Sequence, residues 1–362
     1  MNWKASLKTA SIAGLLLVSA CSGAKKDEAA APAAEAPKTE FNVGWSIYAG
    51  WMPWAYAEKS GILKKWADRY GINIHLIQVN DYVESVNQYT AGKLDGVTVT
   101  NMDALTIPAA GGKDTTAVIM GDYSNGNDGI VMKTGKSVAD LKGQTINLVE
   151  LSVSHYLLAR ALELNGLKLA DVKTVNTSDA DIVGAFATPQ VKTVVTWNPQ
   201  LSEVKKSGTE VFNSSKIPNE IQDVMAVSSA TLKANPNLGK ALVGAWYEVM
   251  ALMQKGGPDS EAAIAEMAKL SGTTTENYKA QLATTFLYYK PSDAVAYVEG
   301  QDILKHEDMV RKFSFSKGLF GPNATSVDAI GIETPAGTLG DKAHVRLRYD
   351  SSFMKLAADN KL

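Results

Sequence analysis

An α/β fold is what this 362-residue sequence predicts, and three observations carry the prediction. From Phe41 to about Ala230, short apolar strands alternate with amphipathic helical segments, the pattern of sheets covered by helices. Beyond Ala230 the apolar positions change to a helical period. Hydrophobic residues make up 45% and charged residues 20%, which excludes a disordered or fibrous chain. The length allows one or two domains.

The first twenty residues are set apart from this pattern. Lys4 and Lys8 make a cationic start without an acid, and the apolar run Ile12–Val18 is too short to span a bilayer. It leads into Val18-Ser19-Ala20-Cys21, which resembles the cleavage and acylation site of bacterial lipoproteins. Residues 1–20 therefore read as a signal peptide and Cys21 as the lipidation site. Residues 21–39 read as a lipidated tether, because Ala, Pro and mixed charges without a large apolar side chain cannot bury enough surface to fold. Localisation follows: an exported protein, periplasmic or at the cell surface, held to a membrane by lipid.

The body begins with strands at Phe41–Trp45 and Ile72–Val79. Asp81-Tyr82-Val83-Glu84 has capping-box spacing and opens a helix with Val83, Val86 and Tyr89 inward, closing at Gly92. Strands follow at Leu94–Thr100 and Thr116–Met120. Ser137 caps a short helical turn before the strand Thr145–Val149, and a helix runs from about Ser152 to Asn165. Val194–Trp197 is a strand, with Asn198-Pro199 starting the next helix. After Ala230, Leu242, Ala245, Trp246, Val249 and Met253 mark a helix that stops at Gly256-Gly257-Pro258. Ser260 and Thr273-x-x-Glu276 begin two more.

Several functions are excluded. A net charge of −2 gives no basic surface for nucleic acid. One cysteine and four scattered histidines provide no disulfide and no spaced metal-ligand set. Lys133-Thr134-Gly135 and Ser314-x-x-Lys317 stand in the wrong order for a serine transpeptidase. Gly135-Lys136-Ser137 has its upstream glycine, Gly129, one residue too far away for a phosphate-binding loop. No enzyme activity, cofactor or metal is expected.

At Trp51-Met52-Pro53-Trp54-Ala55-Tyr56-Ala57-Glu58-Lys59-Ser60-Gly61-Ile62-Leu63 the chain resembles the nitrate/sulfonate/taurine-type substrate-binding proteins of ABC importers. Further matching stretches follow in order at 89–96, 137–143, 152–158 and 195–199, so the resemblance covers about residues 41–230. It implies a two-lobed, type II periplasmic-binding-protein fold with a hinge and an interlobe ligand cleft. Lobe one would comprise 40–128 plus 230–362, and lobe two 129–229. It also implies a monomer that delivers a small molecule to an ABC permease and its ATPase.

The same resemblance places cleft positions at strand ends. Tyr48 and Trp51 belong to a loop with four aromatics in ten residues, Trp45 to Trp54. Asn101, Asp103 and Asp122 follow or end lobe-one strands, and Trp197 ends a lobe-two strand. Ser152 stands where anion-binding relatives present hydroxyls, but Glu150 lies just ahead of it. An acid there is either a favourable contact with the helix dipole or a group that attracts a cation. His155 reads as a packing residue, and Asp223 as a weaker candidate. The loop beginning at Gly44-Trp45 resembles the urea branch of the family, associated with carboxylases of urea or guanidine. Acids and aromatic faces suit guanidinium, a flat cation with a fork of N–H donors. The alternatives are a receptor for taurine, alkanesulfonate or nitrate, and a protein of the thiamine-pyrimidine-precursor type.

Overall fold

The computed structural model describes residues 38–362; the signal segment, Cys21 and the tether through residue 37 lie outside the described residues. Along the chain the strands are β1 (Glu40–Trp45), β2 (Asn73–Gln78), β3 (Gly96–Thr100), β4 (Thr115–Ser124), β5 (Asp128–Met132), β6 (Thr145–Leu148) and β7 (Lys173–Asn176). They continue as β8 (Thr193–Trp197), β9 (Thr209–Asn213), β10 (Gln222–Ser228), β11 (Thr285–Leu287), β12 (Gly331–Thr334), β13 (Gly337–Leu339) and β14 (Val345–Tyr349).

Two sheets result. The larger runs β13-β12-β14-β4-β10-β3-β1-β2, with β11 attached to β4. The smaller runs β7-β6-β8-β5-β9. β1 lies parallel between β2 and β3, so each step needs a crossover. The helices Met52–Lys59, Ile62–Arg69 and Tyr82–Thr90 supply them. Asp81 caps the last of these by accepting the Glu84 N–H at 2.9 Å, as its spacing predicts. β3 is buried along its whole length, which its Val-rich sequence allows only because both faces are covered.

The long helix Asn237–Lys255 buries all five predicted inward residues. Its Trp246 packs on Trp54 with ring centroids 5.1 Å apart. An aromatic side chain of this kind removes 150–250 Å² from water, worth roughly 4–6 kcal/mol before entropy is subtracted.

The chain passes between sheets twice, after β4 and after β9. Ser124 and Ser214, one at each crossing, share a hydrogen bond of 2.6 Å. Ser214 Oγ also accepts the Gly126 N–H at 2.8 Å, so the two crossings are tied to each other. Beyond Ala230 the structure departs from an all-helical reading: β11 to β14 join the larger sheet. Segments of three to five residues carry no readable period; β11 and β14 become strands by pairing with distant β4, and β12 and β13 add on beyond β14. The stretch after Ser46 also differs from a plain loop, folding into a 3-10 turn at Ala49–Trp51 and then a helix.

Candidate functional site

A small cavity opens where the carboxyl ends of parallel strands from both sheets face one another. Tyr48 and Trp51 reach it from the turn after β1, Tyr82 from the helix after β2, and Thr100 from the end of β3. Trp197 at the end of β8 and Val153 at the helix start after β6 form the opposite wall. Such edges are the usual ligand sites of open α/β sheets, because helix starts and loops converge there.

Four aromatic rings form a continuous wall. Tyr48 meets Trp51 edge-on at 5.1 Å, Trp51 meets Tyr82 at 5.7 Å, and Tyr82 meets Trp197 edge-on at 5.7 Å. Two of the remaining lining residues are acids, Asp128 and Asp223. Among the described residues, neither Lys, Arg nor His lines the cavity.

Pairing in the sheets explains the acids. β4 and β10 run antiparallel in a register that sets Asp223 opposite Asp122. β5 and β8 set Asp128 opposite Trp197. Tyr48 donates its hydroxyl to Asp122 Oδ1 at 3.2 Å, while Asp122 Oδ2 has no hydrogen-bond partner. Gly50 allows this approach, since a Cβ there would lie 2.6 Å from Asp122 Oδ2 and 2.5 Å from the Tyr48 ring. Asp103 Oδ2 accepts from Tyr82 Oη at 2.7 Å and from Thr100 Oγ1 at 2.9 Å, so it fixes the Tyr82 ring in the wall.

Burial dominates the electrostatics. It pushes the Asp103 carboxyl up to about 6, against the lowering effect of its Tyr82 and Thr100 hydrogen bonds. Burial likewise pushes Asp122 and Asp128 up to about 7, each further burdened by a neighbouring aspartate. Asp223 rises for the same two reasons, burial first and then Asp122. Carboxylates held this way repel anions and gain most from a cation.

The expected residues divide. Tyr48, Trp51 and Trp197 line the cavity, and Asp122 and Asp103 hold its wall residues. Three others are placed elsewhere. Asn101 is committed to the fold: its Nδ2 donates to Glu307 Oε1 at 3.0 Å and its Oδ1 accepts the Gln222 N–H at 3.2 Å. Ser152 caps its helix through the Ser154 N–H at 3.2 Å and donates to Val149 O at 2.8 Å. Its neighbour Val153, an apolar residue, faces the cavity instead. Glu150 accepts from Thr174 Oγ1 and lines a separate surface cleft with Asp81, Glu84 and Asp179. The chain turns through Leu151 at φ +63°, and the carboxylate of Glu150 ends up on the far side of that turn.

Tyr82 and Asp128 were not singled out in the sequence, and Asp223 only weakly. Tyr82 hides as the first residue of a well-capped helix, although every helix following a parallel strand points its start at this edge. Asp128 and Asp223 come from strands whose antiparallel insertion no local pattern reveals. His155 packs edge-on against Phe313 at 6.1 Å and accepts the Leu151 N–H at 3.2 Å.

Contacts also link the two halves around the cavity. Asp179, on the smaller-sheet side, accepts the Tyr82 N–H at 3.4 Å. Tyr156 donates to Glu220 Oε2 at 2.6 Å, and Arg160 Nε donates to the same oxygen at 2.8 Å. These bonds tie the helix bearing Val153 to the second crossing.

A cavity between two α/β lobes joined by two crossings defines a two-lobed periplasmic-binding-protein fold. Residues 64–260 match the family described as NMT1/THI5 like, and the chain belongs to that family. A binding protein of Brucella abortus (strain 2308) is 34% identical over 104 residues, 28% of this chain and 32% of its own length. The taurine-binding periplasmic protein of Escherichia coli (strain K12) is 27% identical over 115 residues, 31% of this chain and 36% of its own. The chain thus spans about a third of the length of these curated relatives. Among solved structures, the alkanesulfonate-binding protein from Xanthomonas axonopodis pv. citri bound to MOPS superposes with a TM-score of 0.66. Its identity is 19%, covering 79% of this chain and 96% of that one. The nitrate-binding protein of Synechocystis PCC 6803 gives 0.64 at 14% identity, covering 90% of each chain. A desulfurization enzyme shares the fold more distantly, with a TM-score of 0.52.

Proposed function

We propose that this chain is the exported, lipid-anchored solute receptor of an ABC importer, and that its ligand is guanidinium. One observation carries the ligand: an aromatic box containing buried aspartates and no lining Lys, Arg or His. Carboxylates suit a fork of N–H donors, and ring faces suit a flat delocalised cation. The cavity measures about 20 Å³. A single water needs roughly 10–15 Å³ on that scale, so the space holds one or two waters and limits the ligand to a very small molecule.

Relatives that bind taurine or alkanesulfonate favour an anion as the alternative. Sulfonate or nitrate needs a positive partner, and here it would face buried acids. Urea would leave those acids without a counter-charge. A thiamine-pyrimidine-type reaction consumes a histidine, and His155 packs against Phe313 outside the cavity lining. We place the lobe division at the two crossings, so that β10 moves with lobe one, and assign handover of ligand to a permease with its ATPase. Cys21 is the proposed anchor; a Cys21→Ser protein that stays in the membrane fraction would remove that assignment.

The ligand is tested by thermal shift at matched ionic strength with millimolar guanidinium, urea, taurine and nitrate. A ligand at a hundred times its Kd adds about 2.7 kcal/mol, enough to move the Tm visibly. Guanidinium should stabilise; stabilisation by taurine or nitrate alone refutes the reading.

A further inference from the structure

We propose that Asp122 and Asp223 share one proton in the ligand-free receptor and give it up to solvent when a cation enters, so that binding is an exchange of proton for ligand. The proposal rests on the cation reading above and adds its regulation. β4 and β10 set the two residues opposite each other, with their carboxyl groups within hydrogen-bonding reach, and both are buried. The Tyr48 hydroxyl occupies Asp122 Oδ1, and Oδ2 has no partner among the groups that could donate. An ionised carboxylate only accepts hydrogen bonds, so two facing carboxyl groups can bond to each other only when one carries a proton.

The surroundings offer no substitute for that proton. From the turn after β1 comes Tyr48, itself kept neutral by burial and by the aspartates. β5 contributes Asp128, an acid, and β11 sets Leu287 opposite Asp122. Tyr278 of the helix Thr275–Leu282 spends its hydroxyl on Ala49 O at 2.9 Å, and Tyr288 follows β11 as another neutral phenol. Asp103 adds a further acid beyond Asp128. Every one of these groups is neutral or acidic. Like charges sharing a buried site do not both ionise near neutral pH, and burial raises both members of this pair.

The exchange balances. The protonated pair takes up one guanidinium, the O–H bond breaks, and the proton passes to bulk water. The charge inside the cavity is the same before and after, so entry of the cation does not add a net buried charge. Affinity then rises with pH while the shared proton is present. A neutral ligand such as urea displaces no proton.

Calorimetric titration of the purified receptor with guanidinium chloride at pH 7.5 tests this, run in phosphate and again in Tris. The two buffers take up protons with different heats. The expected result is a difference between them equivalent to about one proton per guanidinium bound, and little or none for Asp223→Asn, which binds more weakly. Equal heats in both buffers, or undiminished proton release from Asp223→Asn, overturn the proposal. Carboxyl ¹³C NMR of the ligand-free receptor, labelled at aspartate, provides a reading that needs no ligand. An aspartic acid resonance persisting at pH 7.5 supports the shared proton, and ionisation of every aspartate at that pH overturns it. A persisting proton with no guanidinium binding would instead refute the ligand while leaving the pair intact.

Discussion

Replacing Asp128 by Asn should strengthen the empty protein and weaken the receptor. Asp128 is buried at the start of β5, opposite Trp197, with its carboxyl pushed up from its ordinary 3.8 to about 7 by loss of water. A folded-state value above the unfolded one means that the native state holds the proton more tightly. Stability therefore falls as pH rises from about 4 to about 7, and the loss is complete above that window. Three pH units at 1.36 kcal/mol each set an upper figure of about 4 kcal/mol for carrying this charge at pH 8. Asn keeps the shape without the charge. The variant should then be more stable than the parent by up to about 4 kcal/mol at pH 8, and by little near pH 4. Urea must be the denaturant, because guanidinium is the proposed ligand. Calorimetry on the same samples should show guanidinium affinity falling about 10- to 150-fold, the worth of one charged hydrogen bond at 1.5–3 kcal/mol. Lower stability at pH 8 together with unchanged affinity would refute the reasoning, since Asp128 would then be structural.

Three further outcomes are expected. Trp197→Leu retains bulk but removes a ring face, and should weaken guanidinium binding by up to about 30-fold, the roughly 2 kcal/mol of a desolvated cation–π contact; a Kd within twofold would place the ring outside the ligand's reach. Glu150→Gln should leave the Kd within about twofold by calorimetry, because its carboxylate is held by Thr174 in another cleft. A tenfold loss would return Glu150 to the site. Tyr156→Phe removes one of the two bonds on Glu220 Oε2 and should cost about 1.5–3 kcal/mol of stability at pH 7, measured by urea unfolding. An unchanged midpoint would show that the Arg160 bonds suffice to hold Glu220.

The fold was legible where local chemistry decides it. Asp81 caps its helix, the 3.6-residue period of Leu242 to Met253 marks a buried face, and the Val-rich β3 lies between covered faces. The site was half legible. Tyr48, Trp51 and Trp197 stand on strand ends and turns, positions that the α/β pattern itself aims at a cleft. Glu150 and Asn101 occupy equally suggestive positions, yet a left-handed residue turns one away and Glu307 captures the other.

By itself, the sequence determined an α/β chain with a lipoprotein-like start and aromatics at the mouth of a cleft, because helix caps, periodicity and turn composition act over a few residues. Only the tertiary structure decided which acids gather there. Asp122 of β4 and Asp223 of β10 meet because antiparallel pairing brings together residues about a hundred apart, and Asp128 joins them from the start of β5, just past the first crossing between the sheets. Whether an aspartate is an ordinary surface charge or a buried partner for a cation depends on that pairing and on the water it excludes, and neither is written in the residues beside it.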